Sequence, residues 1–317
     1  MTSRHVVRAP LRPILGSTFQ PTGFPDLGAA TFTRFVGAER VPSVLVESVQ
    51  SMANRLESVA WDEAVDEPVA EVRGLPYVRV VRSGSGEFLT SSRLEAHRLA
   101  SPYVHMSTLD GQAMFGEIGT RLKLVKDTPH DRRAMARAVA GLDPFCLVHG
   151  VFFSHKDWWG QPKFPRAVSG VIEAHDVERA ISGGRKSDRV RLGLDGDKGA
   201  TAEGFGSVPF HRTEWTAKEI WASFVVDVEL LGSYGLPAPV PRLLEVLALW
   251  EIRGLLDGGL RLRTACDLEP AGAFTGDLAD HVALTEELTA LIPRCADVFG
   301  DGTPLVVEFD GFTKKKA

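Results

Sequence analysis

Cysteine is scarce in this chain: three residues in 317, Cys146, Cys266 and Cys295, lie far apart with no C-x-x-C pair. That argues against a disulfide framework and against a thiolate zinc site. No apolar run is long enough to cross a bilayer, and the opening Met1-Thr-Ser-Arg-His carries no apolar signal segment, so a soluble cytoplasmic protein is expected. An excess of positive charge is missing too. With a net charge of −5 there is no overall basic field to attract nucleic acid, and any grip on phosphate must be local.

Catalytic signatures are equally thin. The nine histidines show neither H-x-x-x-H nor H-E-x-x-H spacing, and no G-x-S-x-G elbow occurs. Gly84-Ser-Gly86 lacks the third glycine of a dinucleotide fingerprint. Asp195-Gly-Asp197-Lys-Gly199 lacks the later ligands of a calcium loop and reads as a solvated turn. The string Gly183-Gly184-Arg-Lys-Ser187 has neither the upstream glycine nor the Gly-Lys-Ser order of a P-loop. Hydride transfer, ester hydrolysis and nucleotide hydrolysis therefore have no support, and no metal or cofactor is expected.

What the chain does have is an ordinary globular composition, 44% hydrophobic and 24% charged, over a length that implies two domains or one domain with large insertions. We read one domain over 1–317, with an insertion over 63–142, a basic loop and mobile tip over 182–206, and a carboxy-terminal extension over 270–317. Leu45, Val49, Met52, Leu56 and Val59 recur at helical spacing and predict a helix from Ser43 to Trp61, with Ser43 as its N-cap. A second helix is predicted over Pro241 to Leu256 and a third near Leu284 to Ile292. Strands are predicted over Val6 to Leu15, Tyr77 to Arg82, Leu147 to Phe153, Val168 to Ile181, Trp221 to Leu231, Leu260 to Cys266 and Leu305 to Phe309. Arg132 to Ala140 reads as a short basic helix. With the insertions set aside, the order strand-helix-strand-strand-helix-strand fits an α+β sheet with its helices on one face.

Ser182-Gly-Gly-Arg-Lys-Ser-Asp-Arg189 packs three cations and two glycines into eight residues. Arginines offer forked donors, lysine a mobile charge, and glycines a close backbone approach, a composition suited to phosphate. The exposed face of the first helix adds Gln50, Ser51, Asn54 and Arg55, hydrogen-bonding groups of the kind that meet a sugar-phosphate backbone. In Val208-Pro-Phe-His-Arg212, His211 and Arg212 sit beside an aromatic and could clamp a nucleotide.

Several stretches together resemble the RAMP-superfamily backbone subunit of CRISPR Cascade effectors, of the type I-U (now I-G) variety. They are Phe19 to Gly28, Leu45 to Leu56, Glu95-Ala-His-Arg98, Pro165-Arg-Ala, Ser182 to Val190, Val208 to Arg212 and Leu260 to Leu268. The resemblance implies an RRM-like (ferredoxin-like) antiparallel palm with thumb-like and finger-like insertions, several copies of which line one CRISPR guide RNA. It also implies a subunit without chemistry of its own. The guide would pair with target DNA, and other Cascade subunits and a recruited helicase-nuclease would do the rest. On that basis guide contacts are expected from Gly183, Gly184, Arg185, Lys186 and Arg189, from Asn54 and Arg55, and from Gln20, Arg98, Arg166, His211, Arg212 and Arg263. Arg212 and Arg263 could instead pair with nearby acids. The alternative is a RAMP-type RNA endonuclease using His211 as general acid/base or Asp188 near the scissile phosphate.

Overall fold

The computed structural model describes residues 3–24, 27–187 and 207–312. In chain order its main elements are β1 (Arg4–Pro13), β2 (Thr31–Val36), β3 (Glu39–Glu47), α1 (Val49–Ser58), β4 (Val78–Arg82), β5 (Phe88–Ser91), α2 (Met114–Arg121) and α3 (Arg132–Leu142). Then follow β6 (Val168–Ser187), β7 (Ser207–Asp227), α4 (Val240–Asp257), β8 (Leu260–Arg263), β9 (Cys266–Pro270), α5 (His281–Leu291) and β10 (Leu305–Phe309). Seven strands form one antiparallel sheet in the order β8-β9-β1-β7-β6-β3-β2.

One face of that sheet carries the core. Val7, Ala9 and Leu11 of β1, Ile172 and Ala174 of β6, and Ala222, Phe224 and Val226 of β7 are buried, as strand alternation dictates. Helices α1 and α4 cover this face and pack on each other. Gly170 of β6 makes the close approach possible, since a Cβ there would lie 2.7 Å from Met52 Cγ of α1. Helix α4 is apolar nearly all round because α5 closes its far side. Truncating a fully buried side chain such as Leu56 or Leu247 to alanine costs about 2–5 kcal/mol. The mixed α+β class and the helices on one face agree with the sequence.

A second sheet joins two segments that the sequence treats separately. Strand β10, from the segment expected to be a carboxy-terminal extension, runs parallel to β4, from the segment expected to be an insertion, and β4 pairs antiparallel with β5. The short hairpin Thr108–Leu109 and Gln112–Ala113 completes its other edge.

Several sequence expectations change: the strand expected over Trp221 to Leu231 ends at Asp227, where Val228–Ser233 turns helical, and Leu260 to Cys266 breaks after Arg263 into a hairpin. The first helix begins at Val49, capped by Ser48, not at Ser43. Ser43 is buried in β3 with its Oγ 2.9 Å from His175 Nδ1, because Val44 and Val46 alternate into the core and hold the chain extended to Glu47. Leu147 to Phe153 is mostly not a strand: Phe145–Val148 is a helical turn, and only Val151–Phe152 pairs, with Lys163–Phe164. The segment Ser182 to Ser187 is not a loop, since β6 continues through it and its backbone enters a ladder with Ser207 to Arg212. Asp188, Arg189, the tip over 192–206 and the Lys314 tail lie outside the described residues. Among the described residues no helix is long and apolar enough to cross a membrane.

Candidate nucleic-acid interface

β6 and β7 are twice as long as the sheet they cross. Strand β1 pairs with β7 only between Asp227 and Ile220, and β3 pairs with β6 only between Ile172 and His175. Beyond those points the two strands continue as an arm in unbroken register, from Val177 opposite Ala217 to Ser187 opposite Ser207. Directly opposed residues share a face, so Arg179, Ile181, Gly183 and Arg185 lie with Trp215, Thr213, His211 and Pro209 on one side. Ser182 and Gly184 lie with Arg212 and Phe210 on the other.

Two cation–aromatic pairs line this arm. The Arg179 guanidinium carbon is 5.3 Å from the Trp215 ring centroid, and that of Arg212 is 5.8 Å from the Phe210 ring. Trp215 is buried, whereas Arg179, Arg212 and Phe210 are exposed. The ring of Phe210 lies over Gly184, where a Cβ would be 3.2 Å from its Cζ. Gly184 thus makes room for an aromatic ring, while the backbone of both glycines is engaged in the strand ladder. Ile181 is 77% exposed, an apolar side chain that this two-stranded arm leaves uncovered.

The base of the arm is stitched to the body by the chain following β1. Phe19, itself buried, exchanges both backbone hydrogen bonds with Trp215 (2.9 and 2.8 Å), and Gln20 N–H donates to Ala265 O at 2.7 Å. The result is a cleft of about 490 Å³ lined by Gln20, Arg179, His211, Arg212 and Trp215, with the Gly23 and Gly28 backbone as its far wall. Of the sequence candidates, Gln20, His211 and Arg212 thus lie along one cleft. Arg212 also stands 3.7 Å from Glu214. Arg179 and Trp215 were missed, because only the register of two strands far apart in sequence puts them face to face; the period-2 pattern through Trp215 was the available signal.

The remaining candidates go elsewhere. Arg55 and Arg263 are both committed to Glu47, a buried carboxylate. Arg55 also donates to the Leu262 carbonyl at 2.6 Å, and Arg263 to the carbonyls of Gln20 and Val46 at 3.0 and 3.1 Å. This knot fastens α1, β3, β8 and the Gln20 segment, so both arginines place the cleft wall. Asn54 is exposed on α1. Arg98 is buried and forms two hydrogen bonds to Glu57 (2.6 and 2.7 Å) and one to Gly150 O. Burial pulls its pKa down, and the Glu57 carboxylate more than offsets this, leaving it above the ordinary value. Arg166 is half-buried, donates to the carbonyls of His149 and Val49, and is lowered by burial and by the charge of Arg98. Arg98 and Arg166 share a separate cleft with His97, His149 and Lys163. Arg185 is exposed on the arm, Lys186 is part of β6, and Arg189 and Asp188 lie outside the described residues.

His211 is exposed beside two arginines of the cleft. Among the described residues no group of three histidine, cysteine or acidic side chains is placed to hold a metal. The arrangement is suited to contact: two forked cations, an imidazole and an amide line an open cleft backed by the Trp215 indole.

Residues 6–179, more than half the chain, match the family model described as CRISPR-associated protein GSU0053. No curated protein matches. Among solved structures, a chain of "CRISPR RNA-guided surveillance complex, pre-nicking" is similar at 12% identity and a TM-score of 0.41, over 84% of this chain and 74% of that one. The crystal structure of Thermofilum pendens Csc2 is similar at 10% identity and a TM-score of 0.30, over 92% of this chain and 72% of that one.

Proposed function

Because the chain belongs to the family of CRISPR-associated protein GSU0053, we propose that it is a non-catalytic guide-RNA-binding subunit that oligomerises along the guide and forms the backbone of a DNA-targeting interference complex. The observation that carries this is the arm cleft, an open groove lined by Arg179 over Trp215 and by Arg212, Gln20 and His211, with Phe210 exposed on the opposite face of the arm. Such a surface holds single-stranded RNA by stacking and by phosphate contact, without reading sequence. That suits a protein whose specificity is delegated to base pairing between guide and target DNA. An acidic chain with a local cationic track fits the same division of labour.

The strand order supports an RRM-like palm. β1, then α1, then the β6–β7 pair, then α4 and β9 make the succession β-α-β-β-α-β, with β9-β1-β7-β6 adjacent and antiparallel. In this scheme β2 and β3 extend one edge, and the arm is the thumb-like extension. The subunit works in the cytoplasm, with copies of itself, other Cascade subunits and a recruited helicase-nuclease as partners. Co-purification tests it: the protein expressed with a CRISPR array should carry RNA of uniform length. Labelled repeat RNA that is cut by the wild type and left intact by His211→Ala would instead establish the endonuclease.

A further inference from the structure

A second aromatic and basic groove lies away from the arm, between α2 and the loop over 154–161. It measures about 670 Å³ and shares no lining residue with the arm cleft. Lys123, Lys126 and Lys156 line it, all three exposed, and Asp157 is the one carboxylate among its lining residues. Its back wall is a stack: Phe115 and Trp158 lie 4.8 Å apart at an interplanar angle of 10°. The backbone of Gly116 contributes open floor, with nothing within 4 Å of where a Cβ would stand.

Trp159 supplies a large aromatic face toward solvent. It is 37% exposed, and its indole N–H is tied to the Thr128 carbonyl at 3.3 Å. Its own carbonyl accepts from His130 Nε2 at 3.0 Å, and Gln161 donates to Ser154 O across the same loop. The chain around it is held in costly conformations: Lys123 has φ 53° and Gln161 φ 43°. A long exposed indole held this firmly has surrendered its freedom before any ligand arrives, which lowers the entropic cost of binding. Three cations around a fixed π-face match a chain of phosphates carrying bases. An acidic peptide would satisfy the lysines and leave the indole face unused.

We propose that this groove is a second binding site for single-stranded nucleic acid, with a base stacked on Trp159 and phosphates held by Lys123, Lys126 and Lys156. It is independent of the arm, so a guide seated there leaves this groove open to another strand.

Fluorescence anisotropy with labelled oligo-dT and oligo-rU of about 20 nucleotides tests it on the full-length protein. Both the wild-type and an Arg179→Ala/Arg212→Ala background are used, so that failure of the arm and failure of the groove are read separately. In both backgrounds Trp159→Ala should lose at least about fivefold in affinity, and Trp159→Phe much less. Lys123→Gln/Lys126→Gln/Lys156→Gln should flatten the salt dependence by about two log units per log unit of salt, at roughly 0.7 per lysine. Binding of either oligonucleotide with these losses supports the site, and the preferred sugar identifies the strand. Unchanged affinity and slope in variants whose thermal unfolding matches the wild type would overturn it. Equal competition by poly-glutamate of matched charge would overturn it too, in favour of an acidic protein partner.

Discussion

Arg179 and Trp215 stand directly opposite each other in the register of the arm, the guanidinium 5.3 Å from the indole centroid. The buried indole backs an exposed arginine, and both line the cleft. Arg179→Ala should weaken single-stranded RNA binding by about 1.5 kcal/mol, the value of a charge-assisted hydrogen bond. Arg179→Lys should recover part of this, since the charge returns without the fork. Anisotropy titrations at one salt concentration check both, and thermal unfolding should stay within about 0.5 kcal/mol.

Gly184→Val places a branched side chain where Phe210 now lies, its Cβ 3.2 Å from the ring. The ring must shift to admit it, and RNA affinity should fall with it, while global stability changes little because Gly184 and Phe210 lie outside the core. Hydrogen exchange should show loss of protection confined to the arm amides, and urea unfolding an unchanged midpoint.

Glu47 is 1% exposed and holds both Arg55 and Arg263. Glu47→Ala leaves two partly buried guanidinium groups without their carboxylate and should cost about 3 kcal/mol, at the low end for a broken buried pair because both arginines keep some solvent. Glu47→Gln should cost less. Urea unfolding checks the order, and RNA affinity should drop in the alanine variant as the Gln20 wall loosens.

Much of the body was legible in the sequence because its signals are local. Val240–Asp257 and Leu305–Phe309 fall within a residue of where helical spacing or β-branched alternation puts them, and His281–Leu291 begins three residues before its expected start. Ser43 misled because Leu45 happens to stand four residues before Val49, while the alternation of Val44 and Val46 is what the core uses. Gly183-Gly184 reads as a break only until Phe210, far away in the chain, is known to lie over it. Arg98 is invisible as a structural residue for the same reason, since its partner Glu57 is 41 positions away. Single cations can be seen in a sequence; which acid or ring they meet depends on register and packing.

His149 and Glu251 are fully buried and 2.9 Å apart. Burial drives the imidazole down to about 4 and the carboxyl well above its ordinary 4.5, so the pair is neutral, with the acid donating to Nε2. Between about 4.5 and 6.5 the unfolded chain gains a proton on His149 and gives one up on Glu251 relative to the fold, and the two effects cancel. Above about 6.5 only the Glu251 contribution remains: the fold binds the extra proton, so stability falls as pH rises toward the raised carboxyl pKa. Urea unfolding from pH 5.5 to 8.5 should show that fall in the wild type and a smaller one in Glu251→Gln. Equal slopes for the two proteins would refute the neutral pair.

The arm as an RNA grip is tested most directly by the salt dependence of guide-RNA binding, measured side by side for the wild type and Arg179→Ala/Arg212→Ala. Two phosphate contacts removed should make the log–log slope shallower by about 1.4, with affinity lower at every salt concentration below the crossing and with little regard to RNA sequence. An identical slope and affinity in the folded double variant would contradict the account, placing the guide on another surface.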